Sequence, residues 1–157
     1  MKKINVTDLL IYVVSAELTG AVSALLSGGF SDFYSRFAKP PLLPPSWLFP
    51  VVWTILFALM GISAYLIHAE DYDESGKKNA LKVYWAQLAV NFSWSIIFFR
   101  CEALWLSVAV ILLLLGLIVT MILKFRKIRP LAAYINIPYL LWVTFATYLT
   151  IAVAVIN

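Results

Sequence analysis

A glutamate, an asparagine and three tryptophans stand inside apolar runs, where such side chains need a reason. Glu17 lies at the centre of the stretch 7–27, where a carboxylate costs at least about 2.5 kcal/mol on insertion scales. Gly20, Ala21, Ala24 and Gly28 fall on its side of a helix, so it is expected to face a neighbouring helix. Two readings fit: a neutral acid hydrogen-bonded within a bundle, or a proton site coupled to transport. Gln87 and Asn91 cannot face lipid cheaply either, and helical geometry puts them on one side with Trp94 and Phe98. They either bridge helices or offer donors to a bound polar group. Trp53 opens another face with Phe57 and Gly61, and Trp142, Ala146 and Leu149 share a third with Tyr139. An indole N–H favours a partner once buried, which a ligand can supply.

Other chemistries find no support. An iron-ligating haem site needs His, Cys, Met or Tyr in its pocket. The single histidine, His68, stands far beyond Trp53, roughly 22 Å along a helix. No metal site and no resident cofactor are expected. The single cysteine, Cys101, excludes an internal disulfide and a CxxC motif. Paired His–Ser, His–Cys or clustered carboxylates within the apolar runs are missing, so hydrolytic machinery is not expected.

The elements that position these residues must be membrane helices. Of the 157 residues, 63% are hydrophobic and only 13% charged, with a mean hydropathy of +0.91. Soluble domains carry about 25% charged residues. Five apolar runs, about 7–27, 46–69, 80–99, 103–123 and 131–155, approach the roughly 20 residues that cross a bilayer. The expected fold is an all-α integral membrane protein, a five-transmembrane-helix bundle making one domain over 1–157 in the lipid bilayer.

Nine basic residues, among them Lys2, Lys3, Lys77, Lys78, Lys124 and Arg126, fall on one side of such a bundle, and Arg36, Lys39 and Arg100 on the other. The N-terminus is therefore expected to be cytoplasmic. The net charge of +4 is a topology signal and gives no support to a nucleic-acid partner.

The loops are unequal. Arg100, Cys101 and Glu102 make a tight turn, so the third and fourth spans are expected to be antiparallel neighbours. The stretch from Gly28 to Pro45 is long, and loops beyond about 12–15 residues are usually functional or disordered. Pro40, Pro41, Pro44 and Pro45 stiffen it into an expected polyproline-like strap with Phe30, Phe33, Tyr34 and Phe37 beneath. It is read as a lid that includes Arg36 and Lys39. Trp53 and Trp142 are expected at similar depth under it, framing a cavity for a flat, apolar, polar-edged molecule.

The segments "KPPLLPPSWLFPVVWTILFALMG", "AQLAVNFSWSIIFF" and "PYLLWVTFATYL" resemble the translocator protein family (TspO/MBR), whose members are also called tryptophan-rich sensory proteins or peripheral benzodiazepine receptors. The resemblance runs from about Phe33 to Leu149. It implies a five-helix bundle, commonly a homodimer, that binds porphyrin, haem and other lipophilic aromatic small molecules under the first loop, with transport or light-dependent porphyrin degradation at Trp53 and Trp142 as further roles. Pocket positions implied here are Tyr34, Trp53, Asn91, Trp94, Trp142, Ala146 and Leu149, with Phe57 added from helical spacing. A bacterial plasma membrane is the expected location. Leu42-Leu43 and Phe92 depart from the family pattern. No basic residue follows Tyr148, so the cholesterol motif of eukaryotic members is broken and sterol handling is not expected.

Overall fold

The computed structural model describes residues 4–157. Lys2 and Lys3, counted above for orientation, lie outside the described residues. Helix α1 (Val6–Ser27) starts at Asn5, whose side-chain oxygen accepts from the Thr7 and Asp8 amides. It is followed by α2 (Phe30–Arg36), α3 (Leu48–Ala69) and α4 (Glu74–Ser95), which continues as a π-turn over Ile96–Arg100. The chain ends in α5 (Leu104–Ile128), α6 (Pro130–Ile135) and α7 (Ile137–Ile156), and no strand occurs among the described residues.

Four stretches are long and apolar enough to cross a membrane: α1, α3, α5 and the α6–α7 unit Pro130–Ile156. The chain is an all-helical, multi-pass integral membrane protein. Helix α4 matches α1 in length, but Glu74, Lys77, Lys78 and Lys82 dilute its first half. The run expected over 80–99 is only its apolar part. Helix α4 starts earlier because Asp73 caps it, accepting from the Gly76 amide at 2.8 Å, with Glu74 in the favourable first turn. Its far end packs antiparallel on α5 across the expected tight turn.

Two expectations need correction. The stretch 28–45 is not a strap throughout: Phe30–Arg36 is helix. Phe30, Phe33, Tyr34 and Phe37 stand at i, i+3, i+4 and i+7, the spacing of one helical face. That face buries Phe33 and Tyr34 against Phe98, Phe99 and Phe49. Gly28, at φ +81°, makes the turn before it. Beyond Arg36 the proline-rich stretch is irregular, and Leu42 adopts φ +65° and is 79% exposed.

The last span is also not one helix. Pro138 offers no N–H to the preceding turn and its ring crowds the carbonyl behind it, so the helix breaks at Asn136. The Asn136 amide then donates to Ser63 Oγ at 2.6 Å and to the Ala132 carbonyl at 2.8 Å, tying the break to α3.

Helices α1 and α3 run antiparallel and meet backbone to backbone. A Cβ built on Gly61 would lie 2.6 Å from Val13 Cα and 2.8 Å from the Tyr12 carbonyl oxygen. No side chain can swing away there, because the obstacle is main chain. A Cβ on Gly116 meets nothing within 4 Å. Gly61→Ala is therefore expected to lower stability by about 1–3 kcal/mol, while Gly116→Ala costs nothing. Thermal unfolding of the two variants in detergent checks the contrast.

Candidate functional site

Where α1 and α3 separate beyond this contact, a cavity of about 210 Å³ lies between them and α4. Helix α1 contributes Glu17, Gly20, Ala21, Ser23 and Ala24, and α3 contributes Pro50, Trp53, Thr54 and Phe57. Asn91, Trp94 and Ser95 of α4, Phe99 of the π-turn and Phe30 of α2 complete the lining. The Phe57 ring occupies the space that a side chain at residue 20 would need, since a Cβ there would come within 2.4 Å of it. Ala21, Ala24, Pro50 and Thr54 are exposed, so the cavity opens sideways between α1 and α3.

The back wall is hydrogen-bonded together. Ser95 Oγ pairs with the hydroxyls of both Ser23 and Ser27, and Ser23 donates to the Phe92 carbonyl at 2.9 Å. Arg100 donates to the Leu26 carbonyl at 3.2 Å. These contacts hold the end of α1 on α4. The π-turn re-aims Phe98 and Phe99 inward, where Phe99 meets Phe30 edge to face at 4.7 Å.

Two amides in neighbouring turns do different work. Gln87 is fully buried, accepts from the Tyr139 hydroxyl at 2.7 Å and points its NH2 group at Met60 sulfur, so it bridges helices. Asn91 donates to the same Tyr139 oxygen at 2.8 Å and also lines the cavity. Trp94 stacks on Phe98 at 5.5 Å, and its buried indole N–H has no acceptor among the described residues. Glu17 lies against the α3 backbone at Ala58 and has no cationic partner among the described residues.

The structure brings Trp53, Phe57, Asn91 and Trp94 together and adds Glu17 to them. Trp142, Ala146 and Leu149 of α7 lie outside this cavity. The Phe49 ring stands between, packed against Phe30 at 5.6 Å on one side and Trp142 at 5.9 Å on the other. Tyr34 packs beside it, 6.2 Å from Phe49, and burial pushes its hydroxyl pKa up. The Trp142 N–H, like that of Trp94, is buried without an acceptor among the described residues.

The loop lies over this end of the bundle. Tyr34, Lys39, Pro40, Pro44 and Pro45 surround a separate open basin of about 730 Å³. Arg36 forms an ion pair with Glu102 at the α4–α5 turn. The Pro41 carbonyl accepts from the Tyr148 hydroxyl at 2.9 Å, and Ala38 exchanges backbone hydrogen bonds with the Asn157 side chain. Sequence reasoning put Ser95 beside the Asn91 face but missed Ser23, Phe30, Pro50, Thr54 and Phe99 as lining residues. Only Phe30 carried a readable signal, through the helical spacing of its aromatic neighbours.

Tyr139 serves two amides at once, whereas the Tyr84 hydroxyl is buried with no partner among the described residues. Tyr139→Phe should destabilise the protein by about 1–2 kcal/mol, since two buried amides lose a partner. Tyr84→Phe should be neutral or stabilising. Denaturation of both variants in the same detergent checks the difference.

The sequence pattern of the TspO/MBR family matches residues 9–156. A "Tryptophan-rich protein TspO" of Chlorobaculum tepidum is 34% identical over 127 residues, covering 81% of this chain and 80% of its own. "Protein CrtK" of Rhodobacter capsulatus is 34% identical over 154 residues, covering 98% and 94%. The "Translocator protein" of Homo sapiens is 33% identical over 132 residues, covering 83% and 78%. With the match spanning almost all of the described helices, the chain belongs to the TspO/MBR family.

Proposed function

We propose that the chain is a membrane receptor that takes flat, lipophilic aromatic molecules, porphyrin-type tetrapyrroles among them, into the cavity between α1, α3 and α4. The observation that carries this reading is the lining itself: Trp53, Phe57, Trp94 and Phe99 form aromatic walls beside the Asn91 amide. Such a mix of apolar surface and few polar groups suits a small lipophilic ligand. The side opening admits a molecule already dissolved in the bilayer. Relatives named as sensory and translocator proteins agree with ligand capture in a membrane.

Size divides the candidate ligands. The cavity, at about 210 Å³, falls below the roughly 300–1,000 Å³ of drug-sized pockets. A two- or three-ring aromatic fits it unchanged. A tetrapyrrole needs more room, and rotation of Phe49 would join the cavity to the surroundings of Trp142, Ala146 and Leu149. The proline-rich loop then acts as the lid over the joined space, held shut by Tyr148, Asn157 and the Arg36–Glu102 pair. Lys39 remains for a ligand carboxylate. In this reading α4 with its π-turn is the fifth crossing, the N-terminus is cytoplasmic in a bacterial plasma membrane, and the protein is a homodimer.

A second reading, proton-coupled export of aromatic compounds, draws on Glu17, which lines the same cavity. Light-dependent degradation of a bound porphyrin at Trp53 and Trp142 is a secondary role. Protoporphyrin titrated into the purified protein should quench tryptophan fluorescence saturably. Trp53→Phe should weaken binding about tenfold, or about 1.4 kcal/mol, and Trp142→Phe should weaken protoporphyrin but not a two-ring ligand. Unsaturable quenching, or indifference to Trp53, would sink the receptor reading. Glu17→Gln should leave protoporphyrin binding intact, and would abolish pH-driven flux only if the export reading holds.

A further inference from the structure

We infer that the cavity selects aromatic cations, with the Glu17 carboxylate as their counter-ion. This rests on the cavity being the ligand site and specifies the charge of what it prefers. Among the described residues, Glu17 is the only ionisable side chain in the lining, which holds no Lys, Arg or His. Its carboxyl group lies against the α3 backbone at Ala58. In an apolar region a carboxyl group without a cation is driven toward its neutral form, and a bound cation favours the carboxylate.

The aromatic lining supports the same sign of charge. Trp53 and Phe57 lie 5.6 Å apart with their rings tilted by 32°, and Trp94 comes from the facing helix. Indole and phenyl faces attract organic cations, more strongly when water is excluded. A carboxylate beside several aromatic faces is a binding chemistry for a ring that carries a positive nitrogen. A two-ring anion confined to the cavity would meet Glu17 with like charge and find no compensating base in the lining, whereas a tetrapyrrole filling the joined space would carry its carboxylates toward Lys39. The volume of about 210 Å³ suits a two- or three-ring cation, and the side opening favours one amphiphilic enough to enter the membrane.

N-methylquinolinium and 2-naphthoate share a two-ring frame and carry opposite charges, so they separate charge from shape. Calorimetric titration of each into the protein in an uncharged detergent at neutral pH should show saturable 1:1 binding of the cation. The anion should bind at least tenfold more weakly. Glu17→Gln should weaken the cation at least tenfold and erase the preference, and Glu17→Asp should keep most of it. Equal binding of the two probes by the unaltered protein overturns the inference without any variant. So does a Glu17→Gln protein whose cation affinity stays within twofold. Trp53→Phe separates the two levels: if it weakens both probes while Glu17→Gln changes neither, the cavity stands and the charge selection falls. If neither substitution alters binding, the cavity reading falls as well.

Discussion

The packing of α1 on α3 at Gly61 is the constraint on which the rest of the site depends. Lipid supplies no hydrophobic force to press helices together, so association relies on close van der Waals contact and hydrogen bonds. At Gly61 the missing side chain lets the α1 main chain at Tyr12 and Val13 rest directly on α3. Toward the loop, the same pair meets through the Phe57 ring over Gly20 and then through the cavity lining. One end of the interface is closed and the other open. The opening survives because the serine cluster at Ser23, Ser27 and Ser95 holds the end of α1 on α4 instead.

The opposite half of the bundle is built on polar satisfaction. In a membrane each buried amide or hydroxyl must find a partner within the protein. Gln87, Tyr139 and Asn91 form a chain between α4 and α7, and Asn136 with Ser63 ties the broken last span to α3. These links make a rigid wall behind the cavity. Against that background four buried groups lack a partner among the described residues: the Tyr84 hydroxyl, the Asn136 side-chain oxygen and the indole N–H groups of Trp94 and Trp142, of which only Trp94 belongs to a residue of the lining.

Much of this was legible in the sequence, for physical reasons that vary by element. The long apolar runs of α1, α3 and α5 announce themselves because the bilayer sets their length. Asn91, Trp53 and Trp94 were readable because a polar or amphipathic side chain at helical spacing in an apolar run must turn inward. Glu17 was readable as an inward-facing acid, but its presence beside those residues depends on how far α1 leans from α3, which no local pattern encodes. Helix α2 was hidden by the prolines that follow it, although its aromatic spacing was helical throughout. The separation of Trp142 from Trp53 by Phe49 is a matter of one ring's position, and depth along two helices could not reveal it.

Photo-crosslinking with benzophenone tests the central claim most directly. This neutral, two-ring ketone needs no derivatisation, and its carbonyl can accept from an indole N–H. Irradiated in its presence and mapped by mass spectrometry, the protein should carry adducts on α1 between residues 17 and 24 and on α3 between residues 50 and 57. Excess of a competing two-ring aromatic should suppress them. Adducts confined to α7 around Trp142 and Leu149, or spread along the lipid-facing surfaces and indifferent to competitor, would contradict a ligand site between α1, α3 and α4.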